Sequence, residues 1–208
     1  MKIYTFEAAP NPRRLKLFLG YKGVDIETET INIRDGEQFS DSFKAINPDC
    51  TVPALQLDDG TVITNVIAAC LYLESLYPEK PLLGLTPLEQ AKIVSWDHSI
   101  FTEGFTAVAE MLRNGSEAFK GRALPGAVAL EQIPGLVDRG QIRLQAFFNK
   151  LDTHLADREF IVGNAISLAD IDLYALCDFA KWVKQSIPED CRHLQSWYQR
   201  MVKELGEK

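Results

Sequence analysis

From Ile46 to Tyr77 the chain reads INPDCTVPALQLDDGTVITNVIAACLYLESLY, and no other stretch limits the available folds as much. Val52 precedes Pro53, whose ring biases the residue before it toward an extended backbone. Residues 54–57 and 61–63 read as short strands. Asp59-Gly60 between them is a strong hairpin signal, because glycine takes the positive φ that a tight turn needs. Thr64 is placed as an N-cap, with a helix predicted over residues 65–74. The start of such a helix carries N–H groups without intrahelical partners and the positive end of the helix dipole, which suits a small carboxylate. A binding edge at Val52-Pro53 and an anion site at Asn65-Val66 are expected close together.

The rest of the chain reads as a support for that pair. Residues 2–6 form a β-rich run. Asn11-Pro12 reads as an N-cap with proline at the first helical position, and an amphipathic helix follows to Lys22, ended by Gly23. Residues 25–33 alternate well enough for a second strand, parallel to the first through a right-handed crossover. A weaker helix is expected over 37–45. The order is β-α-β-α-β-β-α, a compact mixed sheet with helices on both faces.

Near Pro78 the character changes. Pro78, Pro81, Gly84 and Pro87 crowd one short segment, so 78–87 is expected to be a linker between domains at 1–77 and 88–208. Thr86-Pro87-Leu88-Glu89 is a capping box opening a helix predicted to run to about Arg113. Leu144, Phe147, Phe148, Leu151 and Leu155 fall on one face of another long helix. Ser167-Leu168-Ala169-Asp170 is a second capping box, flanked by Ile166 and Ile171 as a hydrophobic staple. The helix it opens is apolar nearly all round and belongs in the middle of a bundle. A last helix spans 193–205. The second domain is all α.

Composition narrows the function classes. The 208 residues carry a net charge of −7, which argues against nucleic acid and anionic membrane surfaces as partners. Cys50, Cys70, Cys177 and Cys191 form no CxxC and no His-Cys cluster at metal spacing, so no metal is expected and the thiols read as reduced and structural. The N-terminus MKIYTFEAAPNPRR has no secretory apolar core, and no stretch is long enough to span a bilayer. A soluble cytoplasmic protein is expected.

The order of elements, with an extended edge before a proline, resembles the glutathione S-transferase family. The start MKIYTF…PNPRRLKLFLGYKG is similar to the family's first strand and helix. GEQFSDSFKAINPDCTVPAL resembles its GE-x-x-x-x-F-x-x-x-NP-x-x-x-VPAL segment. TNVIAACLYLE stands where the family has an acid-Ser pair before a helix, and SLADIDLYA matches the S-x-AD capping box of its second domain. These matches span nearly the whole chain, in order. APNPRR, RALPG, QIPGL and FAKWVK…IPEDC narrow the likeness to bacterial transferase-like proteins of unassigned substrate.

The resemblance implies a thioredoxin-like βαβαββα domain, an all-helical C-terminal domain and a homodimer. It implies glutathione as co-substrate and a small hydrophobic electrophile as second substrate, in conjugation or a related peroxidase reaction. The alternative is a protein of the same fold that binds without catalysis. The resemblance further implies that Pro53 is cis, exposing the Val52 N–H and C=O to glutathione's cysteinyl part. The γ-glutamyl carboxylate would sit at the Val66 N–H, and Gln38 would contact the glycyl end. Where relatives place a Ser or Cys for the thiol, this chain has Ala9. Asn11 aligns with an asparagine that serves the thiol in relatives with a TPN motif, and two roles stay open for it: helix cap, or cap and thiol donor. Arg13 and Arg14 are alternative cations. Asn65 and Val66 replace the acid-Ser pair. The electrophile pocket is expected between the first domain and the helix from Leu88, with Trp96, Phe101, Phe105 and Met111 as candidate walls and Ala9 widening the floor.

Overall fold

A computed structural model provides the structure, and it describes residues 1–206. The chain divides into two compact units. One comprises Met1–Lys80 with Leu124–Ala129; the other comprises Pro81–Ala123 and the residues from Leu130 on.

The first unit holds a four-stranded sheet in the order β2-β1-β3-β4, with β1 Lys2–Thr5, β2 Glu27–Thr30, β3 Ala54–Gln56 and β4 Val62–Ile63. β1 runs parallel to β2 and antiparallel to β3, and β3 runs antiparallel to β4. The helices are α1 Pro10–Lys22, α2 Asp41–Ile46 and α3 Val66–Leu76. Strand alternation puts Tyr4 and its cross-strand partner Ala54 on one face, where they form a core with Ile31 and with Phe43 of α2. The Tyr4 ring meets Phe43 edge-on at 6.1 Å and its hydroxyl donates to Gln56 at 3.0 Å, so it is a packing residue, as its place inside the strand requires. β2 is shorter than the sequence pattern predicts. Its four residues are exposed, an acidic edge strand tied to Lys2 through Glu27 and Glu29 at 3.0 and 3.2 Å. The weak helix expected over 37–45 divides into a 3₁₀ turn, Glu37–Phe39, and α2, because the Ser40 hydroxyl accepts from the Phe43 N–H at 3.2 Å and restarts the helix. The hairpin is as read: the Leu57 N–H donates to the Thr61 carbonyl at 2.8 Å, and Gly60 supplies a φ of 87°.

Two helix starts differ from expectation. α1 begins at Pro10 with Ala9 as N-cap, so Asn11 is the second helical residue and not a cap. The first intrahelical bond, Arg13 N–H to the Ala9 carbonyl, includes both Pro10 and Pro12 in the first turn, where a missing N–H costs nothing. α3 is capped by Asn65, not Thr64. The Asn65 Oδ1 accepts from the Ile67 N–H at 3.0 Å, so Asn65 stands outside the helix it was assigned to.

The second unit contains α4 Pro87–Ser99, α5 Thr106–Gly115, α6 Gly135–His154, α7 Leu168–Ala180 and α8 Arg192–Glu204. The long helix expected from Leu88 is interrupted by a π turn, Ile100–Phe105, between α4 and α5. The apolar face of α6 is the predicted one, and α7 is buried along nearly its whole length. α5 and α6 cross closely at Gly140, where a Cβ would stand 2.6 Å from the Ala107 carbonyl oxygen. At the start of α7 the Asp170 carboxylate accepts from the Ser167 N–H and hydroxyl, the Ile161 N–H and Trp197 Nε1. No helix among the described residues is long and apolar enough to cross a membrane.

Candidate functional site

Strand register shows what meets at one end of the sheet. Tyr4 pairs with Ala54 in antiparallel sense, so the chain leaving β1, through Ala9 into α1, adjoins the chain entering β3, at Val52-Pro53. Leu55 pairs with Ile63, also antiparallel, so the residues leaving β4, Thr64 and Asn65, come to that same end. Thr5 pairs with Thr30 in parallel sense, and the Ile31 N–H donates to the Thr5 carbonyl at 2.8 Å, which brings the chain toward Gln38 there as well. Asn11, Gln38, Val52, Pro53, Asn65 and Val66 thus belong to segments converging on one end of the sheet of the first unit.

The polar groups at this end differ in what they have to offer. The Val52-Pro53 peptide bond is cis, and Val52 lies outside the β3 ladder, so sheet pairing does not use its N–H and C=O. At the start of α3 the cap satisfies the Ile67 N–H, and the N–H groups of Val66 and Ala68 have no intrahelical acceptor. In α1, Pro10 and Pro12 have no N–H, so Asn11 alone among the first three helical residues presents a backbone donor. Its side chain is oriented by Arg14, whose Nη1 donates to the Asn11 Oδ1 at 3.2 Å, which leaves the amide nitrogen as the donor end. Ala9 is buried and apolar. Gln38 is buried, and its Oε1 has no hydrogen-bond partner among the described residues.

Sequence reasoning missed the residue that shapes the approach to Val52. Asn47 is fully buried; its Nδ2 donates to the Thr51 carbonyl and hydroxyl at 2.8 and 3.1 Å, and its Oδ1 accepts from the Asp49 N–H at 3.0 Å. These bonds knit residues 47–51 into a compact loop that holds Cys50 at a φ of 53°. The Asn-Pro pair ending α2 is the signal that could have shown it, since asparagine closes turns of this kind on its own backbone. Cys50 is buried, with its Sγ 3.5 Å from the Pro48 carbonyl oxygen, and all four cysteines are buried thiols outside any disulfide. Gly126 lies beside the same loop; a Cβ there would be 3.7 Å from the Asp49 carbonyl oxygen.

In the second unit Phe101 is 41% exposed, with its ring centroid 6.3 Å from that of buried Phe105. Met111 is buried in the core, while Trp96 packs on His154 with centroids 4.3 Å apart. His98 is exposed.

Comparison with known proteins gives a consistent result. The chain matches the family model described as glutathione S-transferase, N-terminal domain, over residues 8–76, and that described as glutathione S-transferase, C-terminal domain, over residues 134–204. It is 34% identical over 206 residues to glutathione S-transferase 2 of Saccharomyces cerevisiae, covering 97% of this chain and 85% of the relative. Among solved structures it is similar to Gtt2 of Saccharomyces cerevisiae, with a TM-score of 0.90 and 30% identity over 100% of this chain and 99% of the other. A glutathione S-transferase domain-containing protein of Marinobacter aquaeolei VT8 has a TM-score of 0.89 and 31% identity, covering 97% of both chains.

Proposed function

Because the chain belongs to the glutathione S-transferase family, we propose that it conjugates the thiol of glutathione to small apolar electrophiles. The observation that carries this reading is the convergence of unused backbone groups at one end of the sheet. The Val52 N–H and C=O suit a peptide added as a short strand. The Val66 and Ala68 N–H groups suit a carboxylate at a helix start. Gln38 Oε1, an acceptor without a partner, suits a peptide N–H such as that of the glycyl residue.

A free cysteinyl thiol has a pKa of about 8.5, so conjugation at neutral pH needs a group that favours the thiolate. Asn11 serves as that group. Its Nδ2 hydrogens donate to the sulfur as the proton leaves to water, and the α1 dipole adds positive potential. Arg14 orients the donor by holding Oδ1. The thiolate then attacks the electrophile's carbon, a C–S bond forms, and the leaving group departs with its electron pair. Ala9 leaves space beside the sulfur. Asn65 in place of an acid gives glutathione's ammonium a neutral partner. A charge-assisted bond is about twice as strong as a neutral one, so affinity is lower by about 1–2 kcal/mol, roughly ten-fold. The exposed Leu71 and Leu76 of α3 support a homodimer.

Calorimetric titration with glutathione, followed by a conjugation assay on wild type and Asn11→Ala, tests the reading. The wild type binds and turns over; Asn11→Ala loses about ten-fold or more in kcat/KM with stability within about 0.5 kcal/mol, because Ala9 and not Asn11 caps the helix. Absence of binding at millimolar glutathione would sink the proposal. Binding without turnover on any electrophile would identify a non-catalytic member of the family.

A further inference from the structure

Asn47, the residue that closes α2, is wholly buried, and each of its polar groups is engaged. Its N–H donates to the Phe43 carbonyl at 2.8 Å, and its carbonyl accepts from the Cys50 N–H at 3.0 Å. Its Oδ1 accepts from the Asp49 N–H at 3.0 Å. Nδ2 donates twice to Thr51, to the carbonyl oxygen at 2.8 Å and to the hydroxyl at 3.1 Å. Phe43 belongs to the core of the first unit with Tyr4, Ile31 and Ala54, so this amide stands on a rigid base.

The Thr51 carbonyl and the Val52 N–H belong to one peptide plane. That bond is trans, so the two groups point in opposite directions. Holding the oxygen on Asn47 therefore turns the Val52 N–H away from the loop. The Val52 N–H has no backbone acceptor among the described residues. The Val52 side chain packs against the Tyr4–Phe43 core and fixes the position of the residue. It does not fix the plane, because ψ of Thr51 and φ of Val52 can change together and turn the plane over while both side chains stay in place. The bond from Asn47 Nδ2 decides which way the N–H faces.

We propose that Asn47 is a positioning residue for the peptide end of glutathione: by holding the Thr51 carbonyl it presents the Val52 N–H to the cysteinyl carbonyl of the ligand. The proposal rests on the reading above in which glutathione pairs with Val52 as an added strand. Asn47 touches no part of the ligand and acts through one peptide plane. Its contribution therefore shows in glutathione affinity and in the exposure of a single amide.

The test is calorimetric affinity for glutathione in wild type, Asn47→Ala and Thr51→Val, joined to amide hydrogen exchange of the wild type followed by NMR. Asn47→Ala releases the Thr51 carbonyl, and glutathione binds about five-fold or more weakly per folded molecule. Thr51→Val removes the hydroxyl but leaves the carbonyl bond, and glutathione affinity stays within about two-fold of wild type. A merely structural role for the loop would weaken binding in both variants. In the wild type the Val52 amide exchanges rapidly without ligand and becomes protected when glutathione is bound. Folded Asn47→Ala that keeps wild-type affinity, Thr51→Val that loses as much as Asn47→Ala, or a Val52 amide already protected in the free protein overturns this proposal alone. The exchange measurement needs no variant, so it decides the matter if Asn47→Ala does not fold. A wild type that fails to bind millimolar glutathione overturns the transferase reading, and this proposal with it.

Discussion

Asp170→Ala removes a carboxylate that is wholly buried at the start of α7. Its Oδ1 accepts from the Ile161 N–H and Trp197 Nε1, both at 2.9 Å, and its Oδ2 accepts from the Ser167 N–H at 3.0 Å and hydroxyl at 2.7 Å. The hydroxyl can rotate to another acceptor; the other three donors cannot. Each unpaired buried donor costs about 1–3 kcal/mol, and removal of a buried charge with entry of water offsets part of the sum, for a net loss of about 3–5 kcal/mol. For a chain of this size that lowers Tm by roughly 6–20 °C. Asp170→Asn keeps an oxygen for Ile161 and Trp197 and turns its NH₂ against the Ser167 N–H, stranding one donor at about 1–3 kcal/mol. The pH dependence separates charge from hydrogen bonding. Burial pushes the Asp170 carboxyl above its ordinary value, against the pull of its four donors. The folded state therefore holds a proton that the unfolded state releases above about pH 3.9, and this group's contribution falls as pH rises toward the raised native value. Asn does not titrate, so the stability gap between wild type and Asp170→Asn is widest near pH 4 and narrows as pH rises. Urea unfolding followed by tryptophan fluorescence between about pH 4 and 8 measures it. A gap that widens with pH would show that the donors outweigh burial, and an Asp170→Ala loss under about 1 kcal/mol would refute the accounting of stranded donors.

Two further substitutions address the first unit. Asn65→Asp keeps the cap oxygen for Ile67 and supplies the missing charge; calorimetry should show glutathione bound about ten-fold more tightly, and no gain would mean that the ammonium does not reach this residue. Lys22→Met keeps the stem but strands the Tyr77, Glu79 and Lys80 carbonyls and Glu74, all of which the buried ammonium meets at 2.7–3.2 Å; denaturant unfolding should show a loss of about 3–5 kcal/mol, and a neutral result would refute the role of Lys22 in tying down the end of α3.

Local signals marked in the chain decided a large part of this fold. Asp59-Gly60 turns the hairpin because glycine alone takes its φ without strain. Thr86–Glu89 and Ser167–Asp170 open α4 and α7 because their side chains satisfy N–H groups within the same turn. These features depend on neighbours in the sequence and are legible there. Features that depend on distant partners are not. Whether Ala9 or Asn11 begins α1 depends on where β1 delivers the chain, and Asn11 is oriented by Arg14 because the helix starts early enough to put them one turn apart. The π turn leaves no mark in IFTEGF, since Arg143, which donates to the Thr102 carbonyl within it, stands 41 residues away on another helix. The segment from Ile46 to Tyr77 combines both kinds: its turn and helix follow from local residues, while the convergence of the chain at Val52 with the chain at Asn65 requires the β1–β3–β4 register, which only the assembled sheet supplies.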